Sequence, residues 1–209
     1  MDFIQQLIDR YPALISQGEA VRKACEIIIR CYENKGKLLV AGNGGSAADA
    51  DHIVGELMKG FVRKRSINRE LADKIERIDP VNGGFIALQL QAGLPAIALS
   101  AHTALNTASI NDMDGTIIYA QQILGYGNPE DVFLGISTSG NAKNVYYGII
   151  VAKAKGLTTI ALTGRDGGLI SAIADLSIIV PEQETYRIQE FHLPIYHAIC
   201  LTVEEHFFS

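Results

Sequence analysis

The chain has 209 residues, of which 48% are hydrophobic and 20% charged, and its formal net charge is −5. This composition is that of a globular protein with its own core, and it excludes fibrous and disordered classes. Apolar runs are far shorter than a membrane helix, the N-terminus lacks a signal-peptide pattern, and the negative charge argues against broad contact with nucleic acid. We therefore expect a cytoplasmic protein with neither membrane nor nucleic-acid partners. The scattered cysteines Cys25, Cys31 and Cys200 are expected to be reduced core thiols.

Helical and apolar patterns alternate along the chain. Residues 1–35 have apolar side chains at helical spacing, with a break near Pro12. Short apolar runs, which we interpret as strands, follow at 37–41, 95–100, 132–137, 158–163 and 176–180. Helical patterns cover 47–59, 102–110, 141–155 and 186–207. Continuous apolar strands alternating with helices predict an α/β fold whose parallel sheet is covered on both faces.

Residues 62–82 differ from the rest because they are rich in charge and end in turn residues. We predict a surface helix and loop inserted into one domain spanning 1–209, with 1–35 as added N-terminal helices. The basic residues around the start of this insertion are Lys59, Arg63, Lys64, Arg65 and Arg69. Interspersed acids favour a solvated face there over a partner surface.

Two predicted strand-to-helix loops, 42–46 and 137–141, have the composition of an anion site. Glycines let the backbone approach an anion, helix N-termini offer free N–H groups, and hydroxyls add donors. Such turns also favour Gly, Ser and Asn for local reasons, but two of them at neighbouring strand ends favour a ligand site. The candidate binding residues are Asn43, Gly44, Gly45 and Ser46 in the first loop, and Ser137, Thr138, Ser139 and Asn141 in the second.

The glycine loop does not match a nucleotide site. Gly42-x-Gly44-x-x-Ala47 fits the dinucleotide fingerprint formally, but the residues about 20 positions later are basic where an acid is required. No Gly-Lys-Ser/Thr follows the glycines, which excludes the lysine-bearing phosphate loop. A small phosphorylated ligand therefore fits better than a nucleotide, and we expect no nucleotide cofactor.

Imidazole and carboxylate side chains are grouped on two predicted helices. His52 and Glu56, four residues apart, share one helix face, and the last helix carries Gln189, Glu190, His192 and His197. Such groups could shuttle a proton between adjacent carbons or hold zinc, but His52 and Glu56 could equally be an ordinary helical pair. Pro194 is expected to interrupt or kink the last helix.

Three ordered motifs resemble the SIS (sugar isomerase) domain, specifically its phosphoheptose isomerase branch. They are Ala41-Gly42-Asn43-Gly44-Gly45-Ser46 with His52-x-x-x-Glu56, then Gly135-Ile136-Ser137-Thr138-Ser139-Gly140-Asn141, then Arg187-Ile188-Gln189-Glu190-x-His192. The resemblance implies a three-layer fold with a five-stranded parallel sheet, a homotetramer with sites between subunits, and isomerisation of a seven-carbon sugar 7-phosphate through an enediol.

The resemblance also implies roles for individual residues. Glu56 and His197 would be the acid and base, Asp112 would contact the sugar, and the serines and threonine of the two loops would hold the phosphate. Some relatives bind zinc through positions matching His52, Glu56, Gln189 and His197. Where the family has Gly-Arg after Glu-Leu-x, this chain has Lys59-Gly60, so the arginine's role could pass to Lys59, Arg63 or Arg65.

The family includes functions other than catalysis. SIS domains also act as sugar-phosphate sensors in regulators, and one relative of the phosphoheptose isomerases associates with a bacterial replication initiator. A pure sensor has no need of Glu56 and His197, so their presence favours an enzyme, with a noncatalytic binding module as the alternative.

Overall fold

A computed structural model describes all 209 residues. The strands are β1 Leu38–Ala41, β2 Ala96–Ala98, β3 Val132–Ser137, β4 Thr158–Thr163 and β5 Leu176–Ile179. The helices are α1 Phe3–Arg10, α2 Gly18–Glu33, α3 Gly45–Met58, α4 Arg69–Ile78, α5 Gly83–Gln89, α6 Thr103–Asp112, α7 Ile118–Tyr126, α8 Lys143–Ala154, α9 Gly168–Ser171 and α10 Thr185–Phe208. Single 3₁₀ segments, Pro12–Gln17 and Gly115–Ile117, precede α2 and α7.

All five strands are parallel and lie in the order β2-β1-β3-β4-β5. The predicted five-stranded parallel sheet is thus confirmed. The chain moves outward from β1 to β2 and then returns past β1 to β3, so the direction of winding reverses between β1 and β3. The crevice beyond the carboxyl ends of these two strands is where open α/β sheets bind ligands, and it is where both predicted anion loops begin.

Successive strand residues point to opposite faces of the sheet and build two separate cores. Val40 contributes to the larger core, under α1, α2, α3 and α10, whereas its neighbour Leu39 belongs to the smaller core, under α7 and α8. Both side chains are fully buried. Strands covered on both faces must be apolar at every position, which explains the uninterrupted runs in the sequence.

The predicted insertion, residues 62–82, contains one surface helix, α4, which pairs with the short uncharged helix α5 that follows it. No residue of α4 is buried, as expected for its charge. The pair closes at its base through an antiparallel bridge between Ser66 and Gln91. The prediction of a solvated basic face is wrong for Arg65, because this side chain is fully buried and pairs with buried Glu204.

Several other expectations meet the structure directly. The helix α10 runs without a break through Pro194, so the predicted interruption does not occur. Helix α7 was not predicted, because its apolar residues are not confined to one face. The cysteines are free and buried, as predicted. None of the helices combines the length and apolar character needed to cross a lipid bilayer.

Candidate active site on α3 and α10

Helices α3 and α10 lie side by side and point in the same direction. Near the start of both, a side chain at Gly45 would collide with the carboxamide of Gln189, 2.4 Å from the position of its Cβ. About two turns further on along both helices, the Tyr196 hydroxyl lies 3.0 Å from His52 Nδ1. The glycine therefore lets the two helices approach closely, and their facing residues form one wall of polar side chains.

A row of hydrogen bonds and ion pairs crosses this wall. The Tyr196 hydroxyl lies 3.2 Å from Asp49 Oδ1 and 3.0 Å from His52 Nδ1. On the other edge of the His52 ring, Nε2 lies 3.2 Å from Glu56 Oε1. The Lys59 ammonium donates to Glu56 Oε2 at 3.0 Å. Both carboxylate oxygens of Glu56 are thus oriented by neighbouring side chains.

His197 completes the wall. Its ring lies edge-on to His52, with centroids 5.0 Å apart, and contacts the Phe61 ring at 5.4 Å. Burial, followed by the nearby charge of His52, lowers its pKa, although Glu56 opposes the shift. Its Nε2 is buried without a hydrogen-bond partner. His197 is therefore a neutral imidazole near pH 7, with one nitrogen available to a ligand.

Burial also changes the acidity of Asp49 at the other end of the row. Burial raises the pKa of its carboxyl, while the Tyr196 hydroxyl and His52 oppose the shift. Its Oδ2 is buried and unpaired. A hydrogen-bonded row that ends on a partly desolvated carboxyl holds the tyrosine and the imidazole in fixed orientations.

The first anion loop, 42–46, is held open by contacts with the far side of the sheet. The Tyr119 hydroxyl donates to the Gly42 carbonyl at 2.5 Å, and the amides of Asn43 and Asn144 bond each other reciprocally at 2.8 and 2.9 Å. Gly44 has φ +57° and nothing within 4 Å of a would-be side chain. The loop thus presents open backbone ahead of α3, where a helix N-terminus attracts anions.

The second anion loop, 137–141, is supported by the loop that follows β4. Gly140 has φ +65°, and a Cβ there would lie 1.9 Å from the Gly167 carbonyl oxygen. The Asn141 side chain donates to the Ser139 carbonyl at 2.8 Å and accepts from the Leu169 N–H at 3.1 Å. The Asn141 amide thus joins two loops, while the hydroxyls of Thr138 and Ser139 stay partly exposed.

The predicted binding residues Ser46 and Asp112 lie in different surroundings. Ser46 is buried in the first turn of α3, next to the open loop. Asp112 ends α6 and is exposed; its carboxylate accepts from its neighbour Asn111 at 2.8 Å, and no hydrogen bond joins it to the α3–α10 wall. The binding roles of both residues stay predictions.

The zinc-binding role of His52, Glu56, Gln189 and His197 stays a prediction. His52, Glu56 and His197 share the wall, but no group of three His, Cys, Asp or Glu side chains is arranged to hold a metal ion. Instead, His52 Nε2 is directed at Glu56, whereas zinc would need both groups to face the ion.

Sequence reasoning missed Asp49 and Tyr196 as part of the row and Phe61 as the neighbour of His197. Asp49 could have been found, since it precedes His52 by three residues and shares its helix face. Tyr196 and Phe61 carried no spacing signal, because they meet the row only through the packing of α10 against α3.

Comparisons with known proteins identify similar chains. The SIS domain family model matches residues 2–86 and 74–164. A phosphoheptose isomerase from Helicobacter pylori (strain P12) is 39% identical over 195 residues, covering 93% of this chain and 88% of the relative. One from Geotalea daltonii is 43% identical over 184 residues, covering 88% of this chain and 82% of the relative.

Solved structures give the same result. A phosphoheptose isomerase from Neisseria gonorrhoeae superposes with a TM-score of 0.74 at 33% identity, covering 97% of this chain and 91% of that one. A phosphoheptose isomerase from Francisella tularensis gives a TM-score of 0.75 at 28% identity, covering 96% and 94% of the two chains.

Proposed function

The chain belongs to the SIS domain family, and on that premise we propose that it is an aldose–ketose isomerase acting on a seven-carbon sugar phosphate, a phosphoheptose isomerase. One observation carries the proposal beyond family membership. Glu56 and His197, a carboxylate and a neutral imidazole, both contact His52 on one wall. A binding module that only senses sugar phosphates has no use for such a pair.

The reaction moves one proton between neighbouring carbons and one between their oxygens. In the ketose-to-aldose direction, Glu56 removes a proton from C1, and the electron pair of that C–H bond forms the C1–C2 double bond of an enediol as the carbonyl oxygen at C2 gains a proton. The proton held by Glu56 then returns to C2 while O1 loses its proton and becomes the aldehyde. His197 manages the oxygen protons, since a neutral imidazole can both donate and accept.

Glu56 must lose one of its present partners to act as the base. The exposed Lys59 ammonium, on Oε2, is the partner that can leave, because His52 is held by Tyr196. A bound sugar that displaces Lys59 would free one oxygen for the carbon acid while His52 keeps the other in place. The lysine can then donate to a sugar hydroxyl.

The distance between the two halves of the site fits a long sugar. Glu56 lies ten residues after Ser46, about 15 Å along the helix axis, and helical side chains reach back toward the N-terminus by several ångströms. An extended seven-carbon chain with its phosphate spans about 10 Å, given bonds near 1.5 Å. With the phosphate on the two anion loops, the reacting carbons of such a sugar reach Glu56, whereas those of a triose phosphate do not.

Hydrogen exchange tests the proposal. The purified protein is incubated in heavy water with five-, six- and seven-carbon ketose and aldose phosphates, and proton NMR follows deuterium entering at the carbon next to the carbonyl. We expect exchange and interconversion with a seven-carbon phosphate. Glu56→Gln keeps the shape of the side chain but cannot accept the proton, so we expect exchange to fall at least ~10³-fold, within the range that general-base catalysis contributes.

The matched control is Glu33→Gln, which removes an exposed carboxylate that pairs with His206 away from the wall and should leave exchange unchanged. Full activity in Glu56→Gln would contradict the catalytic assignment. Tight binding of a sugar phosphate without any exchange in the unmodified chain would favour the alternative function, a noncatalytic sugar-phosphate sensor or a partner-binding regulator.

The proposal extends to assembly and surroundings. We propose a cytoplasmic homotetramer whose sites lie between subunits, as the family resemblance implies. A cavity of about 350 Å³ between α1 and α10, lined in part by His197, Arg10 and Glu190, lies beside the wall. Light scattering after size-exclusion chromatography tests the assembly; a monomer would contradict it.

Zinc at His52, Glu56, Gln189 and His197 is a separate proposal, tested by metal analysis of the purified protein with and without chelator.

A further inference from the structure

The buried ion pair between Arg65 and Glu204 connects the two helices of the candidate site. The Arg65 and Glu204 side chains are 0% and 1% exposed. Arg65 Nε donates to Glu204 Oε1 at 2.9 Å, while its Nη1 and Nη2 donate to the backbone carbonyls of Leu57 and Glu56 at 2.7 and 3.1 Å. These carbonyls belong to the last turn of α3, where helical carbonyls lack partners within the helix. One guanidinium thus caps α3 and holds α10.

Glu204 extends the connection to the neighbour of His197. Its Oε1 and Oε2 accept from the backbone N–H groups of Phe61 and Val62 at 2.8 and 3.0 Å. The Phe61 ring in turn lies 5.4 Å from the His197 ring. The side-chain hydrogen bonds of Glu204 therefore fix the chain that leaves α3 against the part of α10 that carries His197.

The position of Glu204 on α10 is significant. It lies seven residues after His197, which is about 20° short of two full turns, so both residues project from the same face of α10. Glu56 is itself one of the residues whose carbonyl Arg65 holds. The pair thus lies on the far side of Glu56 from the anion loops and bonds directly to the helices that present the two proton-transfer groups.

We propose that the Arg65–Glu204 pair, with its bonds to the end of α3, is a positioning device that sets the separation between Glu56 and His197. The proposal rests on the function proposed above. Neither residue touches the sugar; both act through the helices that they join. Errors of about 1 Å in the placement of reacting groups can cost ~100-fold in rate, so a direct bond between the ends of the two helices keeps the proton-transfer groups at the distance that the reaction needs.

General stability is a weaker explanation for this arrangement. Desolvating two charges is costly, and well-packed apolar residues often replace a buried ion pair without loss of stability. Apolar side chains could not, however, bond two carbonyls of α3 and a carboxylate of α10 at once. Planar, forked arginine supplies that geometry, whereas lysine offers only a point charge.

The test uses Arg65→Lys, which keeps the charge opposite Glu204 but gives up the fork to α3. Arg22→Lys is the matched control, because Arg22 pairs with Asp2 at the surface. We expect kcat for sugar-phosphate isomerisation to fall ~10- to 100-fold in Arg65→Lys with KM unchanged, and Arg22→Lys to match the parent. Nitrogen-15 NMR of the His197 ring provides a second readout and should change only in Arg65→Lys.

Both readouts are taken well below the melting temperature of each variant. Should Arg65→Lys not fold, Glu204→Gln, which keeps the shape and one acceptor oxygen, takes its place. Unchanged kcat together with an unchanged His197 signal would overturn the proposal, as would a rise in KM without loss of kcat. A parent chain that isomerises no sugar would instead defeat the proposed function, while a His197 signal that changes only in Arg65→Lys would still support the positioning role.

Discussion

The two anion loops and the α3–α10 wall are stabilised in different ways. In the loops, glycine geometry and close backbone contacts set the shape, as at Gly140, which packs against the carbonyl of Gly167. In the wall, side chains far apart in sequence meet directly, as His52 does with Tyr196, 144 residues later. We therefore expect changes in the loops to affect folding and phosphate binding, and changes in the wall to affect turnover.

The largest effect outside the catalytic residues is expected at Gly140. Gly140→Ala combines a left-handed φ of +65° with a Cβ 1.9 Å from a backbone oxygen, so we expect the free energy of unfolding to fall by about 3 kcal/mol or more, from backbone strain plus overpacking. Denaturant unfolding of the purified variant measures this loss.

Gly44→Ala is the matched comparison, since Gly44 has a similar φ of +57° with open space around it. Only backbone strain applies there, at about 1–3 kcal/mol. Equal losses in the two variants would show that the 137–141 loop is not stabilised by its packing against the loop after β4. Sugar-phosphate titrations should show weaker binding in both folded variants.

A somewhat smaller effect is expected from His192, which supports the loop after β4. Its Nε2 lies 3.2 Å from the Thr163 carbonyl, and burial lowers its pKa to about 4. Because the unfolded chain binds this proton below pH 6.5 and the folded chain does not until about pH 4, stability is lost as pH falls through that window. The loss approaches about 3 kcal/mol for a shift of this size.

The His192 contribution is measured as a difference between two proteins. The unfolding free energies of the parent and of His192→Gln are compared from pH 7 to pH 4; glutamine can still donate to Thr163 but does not titrate. We expect the parent to lose more stability than the variant on acidification. Parallel curves would show that His192 has the same pKa in the folded and unfolded chains.

The contrast between loops and wall also explains what the sequence could predict. The sheet and the loops follow from local signals, because strand hydrophobicity, glycines and hydroxyls are set by neighbouring residues. The row through Tyr196 and the buried pair of Arg65 with Glu204 depend on how α10 packs along α3. The local charge pattern predicted a solvated Arg65, whereas the structure buries this side chain. His52 and Glu56 were found because both lie on one helix.

The smallest effect is expected at Tyr196, and it sharpens the contrast because it should alter turnover alone. Tyr196→Phe removes the hydroxyl that lies 3.0 Å from His52 and 3.2 Å from Asp49, while the ring continues to fill its place. His52 then loses its hydrogen bond to Tyr196 and holds Glu56 less firmly. A lost bond of this kind is worth about 1 kcal/mol, so we expect kcat to fall roughly 3- to 10-fold with KM unchanged.

Tyr126→Phe is the control, since the Tyr126 hydroxyl also lies near a histidine, 3.3 Å from His102, but at the surface and away from the wall. It should leave kcat and KM unchanged. A rise in KM for Tyr196→Phe with constant kcat would show that the hydroxyl contributes to sugar binding, as the anion loops do, and not to turnover. Equal kcat in the two variants would mean that packing alone orients His52.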